Sequence, residues 1–502
     1  MLYSGHLGVL RRHDLADGGH DAVLGHLLHD LGDDINLDGL IIRVTGITKR
    51  GRGKDLTKET PEEQTASFEA QMKMFRMMKQ GQVDHVEKTG EWPPGFLESK
   101  GEDNPLLNNA AVEAIQSQNL AEMVEHNING TTPTPWAPHV IDAHQTYADE
   151  ARWERECEHF LSSAVFAGIS KDLPEPNSYR RFEVLGKSVL MTRDRQGTFR
   201  AFENRCMHRG AELVNAGPDS SGKKLIHVCD FHAWSYGSDG KLMGVPEEYG
   251  FDSPDDGSGS AADRGGLTEL PSAERAGMLF LVPTPCDDET AAAHFDAVMP
   301  PDLEAELSAY NIGEHHRAVE QTFTIDSNWK LPIDTFGETY HFDALHPQLR
   351  EALVGNCSTF KSFGGLGSNA SRFTLAQNEV SLMKHLPKEE WSKPSSISHM
   401  IPAYHLGPNI VFLINGGKLN FNQFWPGEHV GECVAHIWQV TPDEVPDPQS
   451  FMLLLNVVAI EDFPQLPKMQ ANFAAAKHAE VIFGRNEPVL TDRHTFYDKK
   501  FN

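Results

Sequence analysis

The sequence predicts an α+β protein in which a small all-β domain precedes a larger domain of antiparallel sheet and helices. Three observations predict this class. Residues 179–282 consist of short apolar runs divided by glycines, which is typical of a small β domain. Residues 410–440 carry a hairpin and a further strand, and residues 328–345 and 453–478 carry helical patterns on either side of them. A sheet combined with separate helices defines the α+β class.

The β domain is predicted over residues 179–285. Its first strands are expected at Tyr179–Val184, Ser188–Arg193 and Thr198–Glu203, because glycines at 186 and 197 interrupt the apolar pattern. A closing strand is expected at Gly277–Val282, immediately before two prolines.

The second domain is predicted over residues 286–502. A helix is expected over Asn328–Leu345, with Pro332 in its first turns. Ile410–Ile414 and Leu419–Trp425 flank a Gly-Gly turn and predict a hairpin, and Cys433–Val440 predicts the next strand. Residues 453–478 are expected to be mainly helical.

The N-terminal region carries weaker signals. Residues 1–60 alternate His, Asp and Gly without a core period, and we expect a solvated or disordered extension there, although a histidine-rich tract can also bind metal. Residues 61–140 predict a helical extension with no assigned role, ending in the Thr/Pro linker at 130–135. Residues 141–178 predict a helical lead-in to the core.

Charge and composition exclude several classes. Asp and Glu number 72 against 44 Lys and Arg, so the net charge is −28, which argues against a nucleic-acid partner because such affinity depends on neutralised phosphates. No apolar run is long enough to span a bilayer, and no secretion signal is visible at the start. Six cysteines in 502 residues do not form a secreted disulfide framework. We therefore expect a cytoplasmic protein without a membrane partner.

Two Cys/His pairs form the first chemical constellation. Cys206 and His208 stand two apart, Cys229 and His232 stand three apart, and residues 209–228 separate the pairs. Such ligands could hold one tetrahedral zinc ion. They could also hold a [2Fe–2S] cluster in which two histidines replace two cysteines on one iron. The repeated Cys-then-His order favours the cluster.

The second constellation is the segment Asn328–His346. His341 and His346 stand five apart, which on a continuous helix separates their directions by about 140°. Both can bind one metal only if the helix ends or bends between them. Two histidines with one carboxylate and open positions indicate non-haem Fe(II) and oxygen chemistry. Downstream, either Glu461 or Asp462 could supply that carboxylate, and the residues alone leave the choice open.

The first constellation resembles the Rieske signature. Asn204–Glu212 and Cys229–Tyr236 match its two loops, which implies that the four Cys and His residues bind a [2Fe–2S] cluster and that Trp234 and Tyr236 shield it. Two positions depart from the signature: Asp230 stands where Pro is usual and Ala233 where Gly is usual. The extra negative charge of Asp230 is expected to lower the reduction potential.

The second constellation resembles the catalytic motif of Rieske non-haem iron oxygenases, the family of aromatic ring-hydroxylating dioxygenase α subunits and related monooxygenases. The resemblance covers roughly residues 145–502 and implies a catalytic domain of helix-grip type. It also implies that His341, His346 and Asp462 bind a mononuclear Fe(II). Glu338 takes the place of an Asp that links a Rieske histidine of one subunit to a ligand histidine of the next, and Asp334 stands where Glu is commoner.

The resemblance implies an oxygenase component that uses O2 and electrons from NAD(P)H, delivered by a reductase and in some systems a ferredoxin, to hydroxylate an aromatic substrate. A homotrimer, or an assembly with a β subunit, is implied as well. Glu338 in place of Asp occurs in members that act on quaternary amines, so a demethylase or amine-oxidising monooxygenase is the alternative. An electron-transfer-only Rieske protein and a non-enzymatic zinc protein are the other rivals.

The second half of the chain is rich in aromatic residues, which suits an apolar pocket. Most of these side chains are nevertheless expected to be core. Phe421 and Phe424 differ by an odd number of positions, so on a regular strand they should face opposite sides of the sheet.

Overall fold

The computed structural model describes ten main ranges of the chain, together with a strand at 40–43 and isolated positions between 81 and 89 and at 383 and 455. The main ranges are 110–217, 220–251, 265–346, 358–364, 369–374, 385–391, 401–415, 417–442, 457–476 and 478–502. The histidine-rich tract at 6–29 lies outside the described residues. The chain divides into two compact units, one built around residues 154–315 and one around residues 6–153 and 316–502.

The first unit is built from eleven short strands. They are β3 (Val165–Ile169), β4 (Ser178–Val184), β5 (Lys187–Arg193), β6 (Phe199–Glu203), β7 (Ser221–Lys223), β8 (Ile226–Val228), β9 (Ser235–Gly237), β10 (Leu242–Gly244), β11 (Glu269–Leu270), β12 (Ser272–Arg275) and β13 (Met278–Leu281). They form a five-stranded sheet in the order β11-β6-β5-β4-β7 and two three-stranded sheets, β10-β9-β8 and β12-β13-β3.

The strands predicted at the start and end of the β domain are confirmed. β4, β5, β6 and β13 match the predicted runs to within one residue at every end. The helical prediction for the lead-in is wrong at Val165–Ile169, which is β3 and pairs with β13. All five residues of β3 are buried, and a short run that is apolar throughout carries no period by which a strand could be recognised.

The second unit contains an eight-stranded antiparallel sheet and a two-stranded one. Its strands are β1 (Leu40–Arg43), β2 (His139–Asp142), β14 (His316–Ile325), β15 (Lys361–Gly364), β16 (Asn369–Thr374), β17 (Ile401–Leu406), β18 (Ile410–Asn415), β19 (Lys418–Pro426), β20 (Cys433–Thr441) and β21 (Glu480–Phe483). The large sheet has the order β1-β14-β20-β19-β18-β17-β16-β15, and β2 pairs with β21. The predicted hairpin and the strand after it are β18, β19 and β20, and all three are confirmed.

Ten helices complete the two units as described. They are α1 (Ala110–Asn129), α2 (Ala143–Tyr147), α3 (Glu150–Ser162), α4 (Asp288–Val298), α5 (Pro301–Ser308), α6 (Lys330–Thr335), α7 (Phe342–Leu345), α8 (Lys388–Trp391), α9 (Leu466–Ala475) and α10 (Pro488–Phe501). A π-helical turn, Val458–Asp462, and a 3-10 turn, Phe463–Gln465, lead into α9 and confirm the helical prediction for this segment. The mixture of sheets and helices confirms the predicted α+β class.

The single helix predicted over Asn328–Leu345 is wrong in its middle. The chain forms α6 and α7, and the residues between them are not helical. Glu338 explains the interruption, because its carboxylate accepts hydrogen bonds from the backbone N–H groups of Tyr340 and His341. The side chain thus satisfies amide groups that begin a new helical turn, as a helix cap does.

The extension is partly described. β1 pairs with β14 at the edge of the large sheet, and α1 lies within the region predicted to be helical. The first part of that region, residues 61–80, lies outside the described residues. None of the helices in the described ranges combines the length and apolarity that a membrane crossing requires.

Candidate metal centres

The two predicted Cys/His loops share one backbone arrangement. In the first loop the N–H of Cys206 donates to the carbonyl of Ala211, and the N–H of Gly210 donates to the carbonyl of Cys206. In the second loop the N–H of Cys229 donates to the carbonyl of Trp234, and the N–H of Ala233 donates to the carbonyl of Cys229. Each cysteine therefore opens a turn closed by the residue four positions later, although the histidines follow at different spacings.

The residue that closes each turn has a left-handed backbone. Gly210 has φ 82° and Ala233 has φ 56°. This conformation suits glycine and strains any residue with a Cβ atom. The Ala at 233, noted above as a departure from the Rieske signature, thus occupies the geometry for which glycine is usual.

The four side chains present two thiols inward and two imidazoles outward. Cys206 and Cys229 are each 2% exposed, whereas His208 and His232 are half-buried. The two imidazole rings are 4.6 Å apart between centroids, and the indole of Trp234 stacks on His208 at 4.9 Å. This arrangement offers one buried pair of sulfur donors and one outer pair of nitrogen donors.

Tyr236 lies directly against the inner pair. Its hydroxyl is 3.3 Å from the Sγ atom of Cys206 and accepts a hydrogen bond from the N–H of Met207 at 3.0 Å. The expectation that Tyr236 covers a cluster sulfur is consistent with this contact, and burial first of all raises the pKa of the hydroxyl well above its ordinary value. Tyr236 is therefore a neutral hydrogen-bond donor.

The donor set fits a metal cluster better than free thiols. Burial, and after it the neighbouring Cys206 thiol, raises the pKa of Cys229. Two adjacent buried thiolates repel each other unless a cation lies between them. Two such thiolates with two imidazoles are the ligand set of a Rieske [2Fe–2S] cluster.

The second centre begins at the ends of α7. His341 immediately precedes this four-residue helix and His346 immediately follows it. The helix therefore ends between the two histidines, as the five-residue spacing requires if both are to face one point. Their rings lie 5.1 Å apart between centroids.

Asp462 completes a set of three converging donors. Its Oδ1 atom is 3.0 Å from the Nε2 atom of His346 and 3.6 Å from the Nε2 atom of His341. One donor atom from each of the three residues lies within 4.8 Å of the others, so these three side chains could hold one metal ion. Ligands about 2.1 Å from one metal are about 3 Å apart when adjacent, so the spacing fits a single ion.

The neighbouring acid lies on the other side of the same ring. Glu461, which the sequence left as an alternative to Asp462, accepts a hydrogen bond from the Nδ1 atom of His346. Glu338 makes the corresponding contact with the Nδ1 atom of His341. Each histidine therefore has a carboxylate behind it and Asp462 in front, an arrangement that resembles carboxylate–histidine–metal triads.

Asp334 belongs to a separate buried network rather than to the metal centre. Its carboxylate accepts hydrogen bonds from the hydroxyl of Tyr147 and the Nε2 atom of His494, both at 2.9 Å, and from Arg493 at 3.2 Å. Arg493 also lies 2.7 Å from the Nδ1 atom of His405. Sequence reasoning missed this network, because its members come from α2, α6, α10 and β17 and no local spacing connects them.

The aromatic residues divide between the two faces of the large sheet. Phe421 stacks with Phe412 and Trp438, at 4.9 and 5.2 Å between centroids, whereas Phe424 contacts Phe336 at 5.8 Å. The prediction that Phe421 and Phe424 face opposite sides is confirmed. Phe336 immediately follows α6, so the face bearing Phe424 is the one that packs against the helix leading to the metal centre.

Comparison with protein families matches both parts of the chain. Residues 163–254 match the Rieske [2Fe-2S] domain, and residues 308–502 match the ring hydroxylating alpha subunit, catalytic domain. The ranges contain the two predicted loops and the three converging donors, respectively.

Individual relatives are more distant. A glycine betaine monooxygenase oxygenase subunit from Chromohalobacter salexigens is 29% identical over 39% of this chain and 41% of its own length. A toluate 1,2-dioxygenase subunit alpha from Pseudomonas putida is 25% identical over 40% of this chain and 43% of its own. The chain thus spans less than half of the length of these two relatives.

A solved structure shares the fold. A quaternary ammonium Rieske monooxygenase superposes with a TM-score of 0.58 at 17% identity, covering 73% of this chain and 96% of that one. The Rieske [2Fe-2S] domain and the ring-hydroxylating catalytic domain show that the chain belongs to the Rieske non-haem iron oxygenases. The two matched domains support both expected cofactors, a [2Fe–2S] cluster and a mononuclear iron.

Proposed function

We propose that the protein is the oxygenase component of a Rieske non-haem iron oxygenase system. The observation that carries the proposal is the convergence of His341, His346 and Asp462 in a chain that also carries a Rieske domain. When bound, the cluster supplies single electrons and the mononuclear iron activates O2. The chain itself holds the metals, orients their ligands and shapes the substrate site.

In this proposal, Cys206 and Cys229 hold the inner iron of the cluster and His208 and His232 hold the outer one. Burial supports this order, because the thiols are enclosed and the imidazoles are half-exposed. His208 and His232 would therefore be the cluster ligands that face a redox partner. The electrons come from NAD(P)H through a reductase, with or without a ferredoxin.

Glu338 is proposed as the link between the cluster of one subunit and the mononuclear site of the next. Its carboxylate already contacts the Nδ1 atom of His341. The neighbouring side chain of Tyr340 is 65% exposed, so the segment lies at the surface, where a second subunit could reach it. A homotrimer, alone or with a β subunit, would provide that contact.

An aromatic substrate is the first candidate. The sheet face that carries Phe424 also carries Phe323, which lies 5.4 Å from Phe463, the residue that follows Asp462. Aromatic side chains thus adjoin the segment that supplies the third ligand, and apolar walls suit hydroxylation of an aromatic ring.

A quaternary amine or another methyl-bearing amine is the second candidate. Glu338 replaces the Asp common in ring-hydroxylating members, and the glycine betaine monooxygenase is among the similar proteins. Aromatic walls serve this substrate as well, because quaternary ammonium groups bind to aromatic faces. In this case the products would be a demethylated amine and an aldehyde.

A single-turnover experiment tests the oxygenase proposal without a natural redox partner. The full-length protein is loaded with Fe(II), reduced with dithionite, freed of excess reductant and mixed with O2 and a panel of aromatic acids, hydrocarbons and quaternary amines. We expect substoichiometric hydroxylated or demethylated product with at least one class, and none with His346→Ala or Asp462→Asn. Product formed equally by those variants would contradict the proposed site.

A further inference from the structure

We propose that Glu461 is the positioning residue that holds His346 as a metal ligand through its Nε2 atom. This role belongs to the metal site of the proposed function and rests on that function. The adjacent residues Glu461 and Asp462 contact opposite edges of the same imidazole ring.

The contacts divide the two nitrogens of His346 between two roles. Asp462 lies 3.0 Å from Nε2, whereas Glu461 contacts Nδ1. A neutral imidazole carries one proton, on one nitrogen only. A carboxylate at Nδ1 retains that proton there, so Nε2 keeps the lone pair that a metal needs.

The backbone explains how adjacent residues reach opposite edges of one ring. Val458–Asp462 forms a π-helical turn rather than a regular α-helical one, and a 3-10 turn beginning at Phe463 follows at once. π-helical turns are rare and frequent at functional sites. Here the irregular backbone directs the side chain of Glu461 behind the ring while that of Asp462 remains in front.

His346 is more deeply buried than His341, so losing the carboxylate at its Nδ1 atom should cost more than losing the one at the Nδ1 atom of His341. The side chain of His346 is 1% exposed, whereas that of His341 is 20% exposed. Water can hydrate a partly exposed imidazole that loses its carboxylate. Among the described residues, Glu461 is the side chain that contacts the Nδ1 atom of the buried His346, so its removal leaves a buried donor unsatisfied.

The two carboxylates therefore have different expected roles. Glu338 holds the more exposed ligand and also caps the turn before α7 through the N–H groups of Tyr340 and His341. The main contact of the Glu461 side chain is with His346. Replacing Glu461 should therefore change the metal affinity and the coordination geometry of the bound ion.

Metal binding tests the inference directly. Full-length protein with an intact, oxidised cluster is stripped of mononuclear iron with a chelator and titrated with Co(II) by calorimetry. Loss of a carboxylate behind a ligand histidine typically weakens binding 10–100-fold, so we expect a Kd raised by about that factor in Glu461→Leu. Glu461→Gln keeps an acceptor oxygen and should lie between Glu461→Leu and wild type.

Two further readouts separate positioning from general damage. The EPR spectrum of bound Co(II) should change in Glu461→Leu, because the imidazole is free to rotate or to bind through the other nitrogen. Acid-labile sulfide content checks that each variant is folded and cluster-loaded. The control is Glu480→Leu, which changes an exposed acid of the same unit and should leave both the Kd and the spectrum unchanged.

The outcomes distinguish the inference from the function on which it rests. Wild-type affinity and an unchanged spectrum in Glu461→Leu would overturn the role of Glu461 and leave the metal site intact. Failure of the wild type itself to bind one Co(II) would overturn both. If Glu461→Leu does not fold, Glu461→Gln decides: an unchanged Kd and spectrum in that variant would contradict the inference.

Discussion

Replacing Asp334 by Asn should strongly destabilise the second unit, although Asp334 lies outside the metal centre. Asp334 is 7% exposed, and its two oxygens accept hydrogen bonds from Tyr147, Arg493 and His494. Asparagine has nearly the same shape but offers one acceptor oxygen and one donating NH2 group. One side of the network would therefore face a donor in place of an acceptor, and the charge that balances Arg493 would be lost.

The size of the effect follows from the burial of the pair. Removing one partner of a buried ion pair costs about 3–5 kcal/mol, because the other charge remains buried and uncompensated. In a domain of 150–250 residues, each kcal/mol lowers Tm by about 2–4 °C. We therefore expect the Tm of the Asp334→Asn variant to fall by roughly 6–20 °C, measured by calorimetry and by far-UV circular dichroism.

The effect should depend on pH with a defined sign. Burial alone would raise the pKa of Asp334, but His494 and Arg493 outweigh it and lower the pKa below its ordinary value. A carboxyl whose folded pKa is depressed contributes stability above its unfolded pKa of about 3.9, and loses it as pH falls through the folded value. The difference between wild type and variant should be full near pH 7 and should shrink below about pH 4.

Asp492 provides the matched control on the same helix, beside Arg493. Burial above all raises the pKa of Asp492, so the folded state disfavours its charge and Asp492→Asn should cost less than about 1 kcal/mol. A Tm loss of under 2 °C in Asp334→Asn, or equal losses in the two variants, would refute the assignment of a stabilising charge network.

Three further predictions concern the cluster loops. Ala233→Gly should stabilise the second loop by up to about 1 kcal/mol because it relieves the left-handed strain, whereas Gly210→Ala should destabilise the first loop by about 1–2 kcal/mol. The temperature at which the cluster's visible absorbance is lost measures both effects. Shifts of that temperature in the same direction for the two variants would contradict the prediction. Tyr236→Phe removes the hydroxyl at Cys206 and should lower the reduction potential, by about 60 mV if the bond is worth 1.4 kcal/mol more in the reduced state; an unchanged potential in voltammetry would exclude that hydrogen bond as a tuning contact. Asp230→Asn removes an exposed negative charge beside Cys229 and should raise the potential, and a potential that stays constant or falls would disprove the expected charge effect.

The strands and ligand loops of the first unit were largely predictable from the sequence because their signals are local. Strands show alternation, and Cys and His at short spacing show a metal site. β3 was not predicted because its five consecutive buried residues show no alternation of apolar and polar side chains. The over-long helix was predicted because a capping contact from Glu338 to two backbone amides is not visible in an apolar pattern.

Residue chemistry alone could not separate the roles of Glu461 and Asp462, because the two residues are adjacent and chemically alike; only the family resemblance selected Asp462 as the ligand. Only the π-helical turn determines that Asp462 faces both histidines and Glu461 lies behind one of them. The buried network around Asp334 depends on contacts between positions more than 150 apart in the chain. Such contacts arise from tertiary packing, and no local residue pattern predicts them.

Iron and acid-labile sulfide per chain, measured on anaerobically purified protein with its visible spectrum, show whether the protein holds both metal centres. We expect about two sulfides and about three irons, with the red-brown colour of a cluster held by two Cys and two His. His346→Ala should keep the sulfide and lose about one iron, whereas Cys206→Ser should lose the sulfide. A colourless protein that contains zinc and no sulfide, even after iron-replete expression, would contradict the assignment of this chain as an iron-dependent oxygenase.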